Sequence, residues 1–349
     1  MLKIGPVQLD VPLSQAALAG YSDLPMRLIA RRLGAPYALH EVVLDRSLTH
    51  AGKFQRKVLT LCAEDHPVGG QVIGATPAEF AEAAALLAES GFDVVDINFG
   101  CPVKKVLGRC RGGYLLSDVP QALEILRRVR EAVPPAVPVT VKMRRGMDDS
   151  AESERDFFRI FDAAFELGLA AVTVHGRTVR QRYMGAADWG FLARVKRHAG
   201  AGVVLGSGDL FTADDIARML SQTGVDGVSV ARGCIGNPWI FREARAVLAG
   251  QPLPEPPTVA EQGRVIREHF DLVEQLHGPK IGPKVMRKFG IRYAKRHPFP
   301  ARVRAAFINV KSREEWESAW REWYDPTRAW PPGRHVTGPD ELIAAGASP

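Results

Sequence analysis

The run Asp96-Ile97-Asn98-Phe99-Gly100-Cys101-Pro102 sets a thiol between a glycine and a proline, straight after an apolar stretch. That stretch, Phe92 to Ile97, reads as a buried strand. Glycine admits backbone angles that other residues avoid, and proline bars the strand from continuing. Cys101 is therefore expected on a rigid loop at a strand's C-terminal end, where parallel α/β enzymes place their chemistry. A thiol there is a candidate proton donor or nucleophile; the alternative is a small buried hydrophobe. Lys104 and Lys105 follow at once and suit an anionic partner.

Four other places carry chemistry. Lys142 ends the strand-like run in VTVKMRRG, where an ammonium can neutralise an electron-rich ring; the alternative is a lysine snorkelling to the surface. His175 ends another run and is followed by Arg177, Arg180 and Arg182, a set suited to a ligand contact. Gly206-Ser207-Gly208-Asp209 and Ala231-Arg232-Gly233 are small-residue loops that can offer backbone N–H groups to phosphate oxygens, with Arg232 adding a charge-assisted bond. Finally, Gly278–Arg313 holds eleven Lys/Arg and no Asp or Glu. Lys284, Lys288, Arg292 and Lys295 share one helical face and Val285, Phe289 and Tyr293 another, so a basic stripe facing nucleic acid is expected.

These residues need a scaffold. Strands are predicted at Leu13–Leu18, Ala35–Val42, Val68–Ile73, Val94–Asn98, Pro138–Lys142, Ala171–His175, Val203–Leu205 and Gly227–Val230. Helices are predicted between them, clearest at Pro77–Ser90 with Thr76 as cap, and at Val119–Ala132, Glu152–Leu167 and Thr212–Gln222. Eight strands alternating with helices predict an α/β fold, a (β/α)8 TIM barrel, with an open doubly wound sheet as rival. No GxGxxG follows an early strand, which argues against a dinucleotide-binding sheet. Gln15, His40, Glu41, Gln71, Asn98, Lys142, His175, Ser207 and Arg232 all fall near the ends of these runs, as a site at the barrel mouth requires.

The expected organisation is a catalytic barrel over residues 1–249, a proline-rich linker over 250–258, a smaller basic helical domain over 259–324, and a Pro/Gly-rich tail over 325–349 that is partly disordered. A hydrophobic fraction of 46% in 349 residues supports a large core and excludes global disorder. The net charge of +7 and pI of about 9.3 suit a polyanionic partner. The four cysteines form no CxxC pair, so a reducing cytoplasm is expected and no metal site. The N-terminus has no charged start before an apolar run, and no run approaches a membrane span, so neither signal peptide nor membrane partner is expected.

From about residue 3 to residue 324 the chain resembles the tRNA-dihydrouridine synthases of bacterial type. The family's first motif, APMAGVTD, is similar to Ala16-Ala17-Leu18-Ala19-Gly20-Tyr21-Ser22-Asp23, and its DINxGCPxKKV to Asp96 through Val106. VTVKMRRG, VHGRTVRQRYMGAADW and ARGCIGNPWIF resemble its later motifs. The resemblance implies an enzyme that uses FMN, with NADPH as reductant, to reduce uridine in tRNA to dihydrouridine. Ala17, Leu18 and Ala19 would line the flavin, and Gln71, Lys142 and His175 would contact its ring and ribityl groups. Ser207, Gly208, Asp209, Ala231, Arg232 and Gly233 would hold the ribityl chain and phosphate. Reduced flavin N5 would pass hydride to uracil C6 and Cys101 would protonate C5, because hydride addition leaves an enolate-like carbanion there. Asn98, Lys104, Lys105, Arg144, Arg177, Arg287 and Lys288 would meet substrate RNA. Lys104 and Lys105 would lower the thiol's pKa if close, so they are expected to face RNA phosphates instead. A monomer is implied.

Three positions depart from the family pattern. Ala17 stands where proline is usual, Ser207 stands where asparagine is usual, and the loop after the thiol carries a second cysteine, Cys110. Two other functions fit part of the pattern: a flavin barrel acting on a free pyrimidine, and an RNA-binding flavoprotein with little catalysis. The unopposed charge of Gly278–Arg313 speaks against the first and an intact Cys101 against the second.

Overall fold

In the computed structural model, which describes residues 1–50 and 52–339, eight parallel strands close on themselves. They are β1 (Leu13–Gln15), β2 (Ala38–Leu39), β3 (Val68–Ile73), β4 (Val94–Phe99), β5 (Val139–Arg144), β6 (Ala171–His175), β7 (Val204–Ser207) and β8 (Gly227–Val230). Each pairs with the next, and β8 returns to β1 through Val228↔Leu13 and Val230↔Gln15. Helices connect successive strands, giving the (β/α)8 barrel expected from the alternation.

Side chains alternate along each strand, so the barrel interior is layered. Where the strands begin, Tyr37, Leu39, Val94, Ala171 and Leu205 form one apolar cluster with Leu2, Ile4 and Leu9. The last three come from an antiparallel hairpin, Leu2–Ile4 with Val7–Leu9, that seals this end. Two and four residues further along the strands the interior turns polar: Gln71, Asp96, Asn98, Lys142, His175 and Ser207. A polar interior at one end only requires something polar to be held there.

Five strands differ in their bounds from expectation: β4 ends one residue later, β7 spans Val204–Ser207 instead of Val203–Leu205, and three others shape the site. β1 stops at Gln15, because Leu18 is drawn into a turn: its carbonyl accepts from the amides of Tyr21 (2.9 Å) and Ser22 (3.0 Å). Where one strand is expected over Ala35–Val42, β2 covers only Ala38–Leu39, and a separate two-residue strand, Val43–Leu44, follows beyond that range and pairs to β3; the His40 ring bonds to the Glu41 carbonyl between them. β5 runs on to Arg144, which brings that side chain inside the barrel mouth. Thr76 stands at the N-cap of helix Pro77–Glu89 but makes no capping bond, its hydroxyl serving Glu79 instead.

Beyond the barrel, helices Val259–His277, Gly282–Tyr293, Pro300–Ile308 and Arg313–Tyr324 pack together, with Phe270 stacked on Trp316 at 4.0 Å. They are fastened to the loop after β8 by fully buried Arg296. Its guanidinium donates to Asn237 Oδ1 (2.7 Å) and pairs with Glu243 (2.7 Å). The described part of the tail, 325–339, has no regular element but is attached: Trp330 lies 5.2 Å from the His297 ring and the Arg334 amide donates to the Arg296 carbonyl at 2.9 Å. The rest of the tail, 340–349, lies outside the described residues. Among the described residues no helix is long and apolar enough to cross a membrane.

Candidate active site

β3 and β4 build the base of the site. Gln71 Nε2 donates to Asp96 Oδ2 at 2.6 Å, and Asn98 Nδ2 donates to Gln71 Oε1 at 2.7 Å. Thr140 on β5 donates to the other Asp96 oxygen. Burial pushes the Asp96 carboxyl up, while the bonds from Thr140 and Gln71 pull it down. Asn98 Oδ1 then accepts from the amides of Gly100 and Cys101, both at 3.0 Å. The loop that carries the thiol is thus tied to a buried amide whose own orientation is set by two more buried groups.

Above this base lies a cavity of about 200 Å³. Ala17, Leu18 and Ala19 form an apolar wall; Asn98, Cys101, Lys142, Arg144, His175 and Arg232 form the polar one. Burial pushes the Cys101 thiol up, against a smaller opposing pull from Arg144, so it stays protonated near neutral pH. Lys104 and Lys105 are exposed on the short helix that follows. Burial brings Lys142 down to about 8, with Arg144 acting in the same direction and Asp96 against it. His175 is held neutral, by burial first and then by the surrounding cations. Its Nδ1 accepts the Arg177 amide at 3.1 Å, which leaves the proton on Nε2.

The cavity runs into a small cup between β7 and β8. His175, Ser207, Ala231 and Arg232 line both, and Gly208, Asp209 and Gly233 close the cup. Glycine is obligatory at two of these places. Gly208 has φ +121, and a Cβ on it would lie 2.7 Å from Ala187 Cβ; a Cβ on Gly233 would lie 2.0 Å from the Leu210 carbonyl oxygen. Asp209 sits at φ 57 and turns its carboxylate away to accept from Arg177 Nη2 (2.7 Å), the Ala187 amide (2.8 Å) and Arg232 Nη2 (3.5 Å). It orients the arginine rather than facing an anion. Ser207 Oγ donates to the Ser229 carbonyl at 3.1 Å.

Of the residues expected at the site, Ala17, Leu18, Ala19, Asn98, Cys101, Lys142, Arg144, His175, Ser207, Ala231 and Arg232 line one cavity. Gln71 does not line it: its amide is spent beneath Asn98. Arg144 is turned to three backbone carbonyls, those of Gly100 (2.9 Å), Thr178 (2.9 Å) and Arg182 (2.7 Å). Arg177 holds Asp209 and the Gly185 carbonyl. Both arginines brace loops instead of reaching outward. Arg287 and Lys288 lie on helix Gly282–Tyr293, and Lys288 turns toward the barrel, its ammonium bonded to the Gly20 carbonyl. Cys110 is exposed and takes φ 55 on its loop. Sequence reasoning missed Tyr183, whose ring lies 4.3 Å from the Arg232 guanidinium and 5.5 Å from that of Arg144 and lines the cavity. Its signal was its place in the run VHGRTVRQRY.

Residues 14–324 match the family model described as Dihydrouridine synthase (Dus). The chain belongs to the dihydrouridine synthase family. It is 37% identical over 323 residues to a probable tRNA-dihydrouridine synthase of Mycobacterium tuberculosis (strain CDC 1551 / Oshkosh), covering 90% of this chain and 82% of that one. To tRNA-dihydrouridine synthase B of Xanthomonas campestris pv. campestris it is 33% identical over 336 residues, 96% and 99% of the two chains. Among solved structures its fold is similar to that of 2-naphthoyl-CoA reductase bound to 2-naphthoyl-CoA, with TM-score 0.56 at 13% identity over 72% of this chain and 52% of that one. Morphinone reductase bound to tetrahydroNAD gives 0.52 at 14% identity, over 73% and 91%. At these identities the likeness is one of fold, a barrel shared across the synthase family's boundary.

Proposed function

We propose that this family member reduces the C5–C6 double bond of particular uridines in tRNA, with FMN as its cofactor and NADPH as reductant. The observation that carries the reading is a thiol kept protonated by burial, on the wall of a cavity that also holds Lys142 and opens into a glycine-built cup.

The residues present fit FMN. The apolar Ala17–Leu18–Ala19 wall suits one face of a flat ring system, and Lys142 suits its electron-rich edge. The cup at β7 and β8, roofed by Gly208 and Gly233 and flanked by Arg232, suits a phosphate. His175 Nε2 can donate between the two. FMN bound there and reduced by NADPH supplies the hydride for uracil C6. Cys101 supplies the proton for C5, and its raised pKa keeps that proton on sulfur until the carbanion forms. Asn98 fixes the direction of the thiol through its two loop amides.

The target base has to leave its stack to enter the cavity. Exposed Lys104 and Lys105 beside the mouth, with Arg287 on the helical unit, then meet backbone phosphates. Within this reading, residues 1–249 carry the chemistry, 250–258 link, and 259–324 hold RNA. Four unpaired cysteines support a reducing, cytoplasmic setting, and one chain holds the whole candidate site, which supports a monomer.

The test is to purify the protein, identify the released cofactor by mass, and incubate it anaerobically with NADPH and unmodified bulk tRNA. Flavin bleaching followed by dihydrouridine in the digested RNA is expected. A flavin reduced by NADPH that leaves every RNA unchanged, while reducing a free pyrimidine, would overturn the RNA assignment.

A further inference from the structure

The wall formed by Ala17, Leu18 and Ala19 ends at Gly20, and the Gly20 peptide is held from the helical unit. Its carbonyl accepts from Lys288 Nζ, on helix Gly282–Tyr293 of the helical unit. The Glu41 carboxylate, just after β2, is pushed up by burial and by Asp23, with Lys288 and the Gly20 backbone opposing. The Lys288 ammonium also lies 4.6 Å from the Tyr21 ring centre and 5.2 Å from that of Phe289, and these two rings meet edge to face at 5.5 Å. Cation, carbonyl and aromatic faces together hold the lysine in one place.

What happens at Gly20 reaches the cavity through a tight turn. Leu18 donates its amide to Ser22 Oγ at 2.8 Å and accepts the Tyr21 amide at 2.9 Å. Gly20 lies inside that turn, so its position sets that of Leu18 and Ala19 on the cavity wall. Ala17 leaves this wall with a free φ that a proline would have fixed, so an outside restraint carries more of the order. The neighbouring Arg287 is half-buried and projects about 100° around the helix from Lys288. Arg287 thus leaves the helix on a different face from the lysine that reaches the barrel.

We propose that Lys288 is a positioning residue for the cofactor, a strut from the helical unit that sets the Ala17–Leu18–Ala19 wall, and not a phosphate contact. The proposal rests on the reading of this cavity as the FMN site. It makes the helical unit part of the cofactor site as well as of the RNA surface.

The test compares Lys288→Met and Arg287→Gln with the parent protein. FMN affinity is measured by titrating apoprotein, with flavin circular dichroism of the complex, and tRNA affinity is measured at saturating FMN at two salt concentrations. K288M is expected to weaken FMN binding roughly ten-fold, the effect of losing one charge-assisted bond, and to alter the flavin dichroism, with tRNA affinity unchanged. R287Q is expected to do the reverse, leaving FMN untouched and lowering the salt slope by about one. Unchanged FMN affinity and dichroism in K288M, or weakened tRNA binding alone, overturns the proposal. If K288M does not fold, Lys288→Gln, which keeps a polar end but removes the charge, decides by the same FMN titration. Failure of the parent protein to bind FMN at all would instead overturn the reading of the cavity.

Discussion

The side chain of Asn98 holds the backbone of Cys101: its Oδ1 accepts the Cys101 amide at 3.0 Å and the Gly100 amide at the same distance. Its Nδ2, donated to Gln71, prevents the amide from flipping. Replacing Asn98 by alanine strands two loop amides and one buried carbonyl oxygen. We expect Asn98→Ala to lower stability by about 1–3 kcal/mol, as orphaned buried groups do. Uridine reduction should fall at least ten-fold, roughly, because the thiol loses its fixed direction. Urea unfolding and single-turnover flavin reoxidation measure the two effects.

Lys142 gives the apoprotein a stability that rises with pH. Its folded-state value lies near 8, below the ordinary 10.5, because burial disfavours the ammonium. Between those values the unfolded chain holds a proton that the folded chain has lost, so stability increases as pH rises through the window. Denaturant unfolding of apoprotein from pH 7.5 to 10 should show this gain, and Lys142→Met should remove it. A parent profile that falls across this range at the same rate as the variant's would contradict the assignment.

Arg296 and Glu243 are a buried pair joining the helical unit to helix Trp239–Leu248, which follows β8. Removing one partner leaves the other charged and uncompensated. Arg296→Met is expected to cost about 3–5 kcal/mol. The double variant R296M/E243Q should recover part of that loss, since it no longer buries a lone carboxylate. Thermal or denaturant unfolding of the three proteins provides the comparison.

The barrel is legible in the sequence because short apolar runs alternate with helices and carry polar residues near their ends. Val94–Asn98 and Ala171–His175 show the pattern most plainly, and Lys142, His175, Ser207 and Arg232 do line one cavity. Harder to read are the arginines. Arg144 and Arg177 look like ligand contacts beside a site, yet the carbonyls they brace belong to loops remote in sequence, such as Gly100 and Gly185. A linear pattern holds no record of those partners. Gln71 shows a similar limit: a strand-end amide can face the cavity or serve a neighbour, and its bonds to Asp96 and Asn98 lie outside what a linear pattern records. Lys288 shares a helical period with exposed Lys284, but the barrel loop that approaches it breaks the equivalence.

The most direct test of the central claim is a single turnover of the reduced protein with unmodified tRNA, parent against Cys101→Ala, with dihydrouridine counted by mass spectrometry. Both proteins should bind the flavin and be reduced by NADPH. The parent should reoxidise with formation of dihydrouridine, and the variant about 10²–10⁴ times more slowly, the range of a lost general acid. The parent rate should also fall at alkaline pH, as the thiol ionises above its ordinary value. Equal rates of dihydrouridine formation in the two proteins would contradict the role given to Cys101.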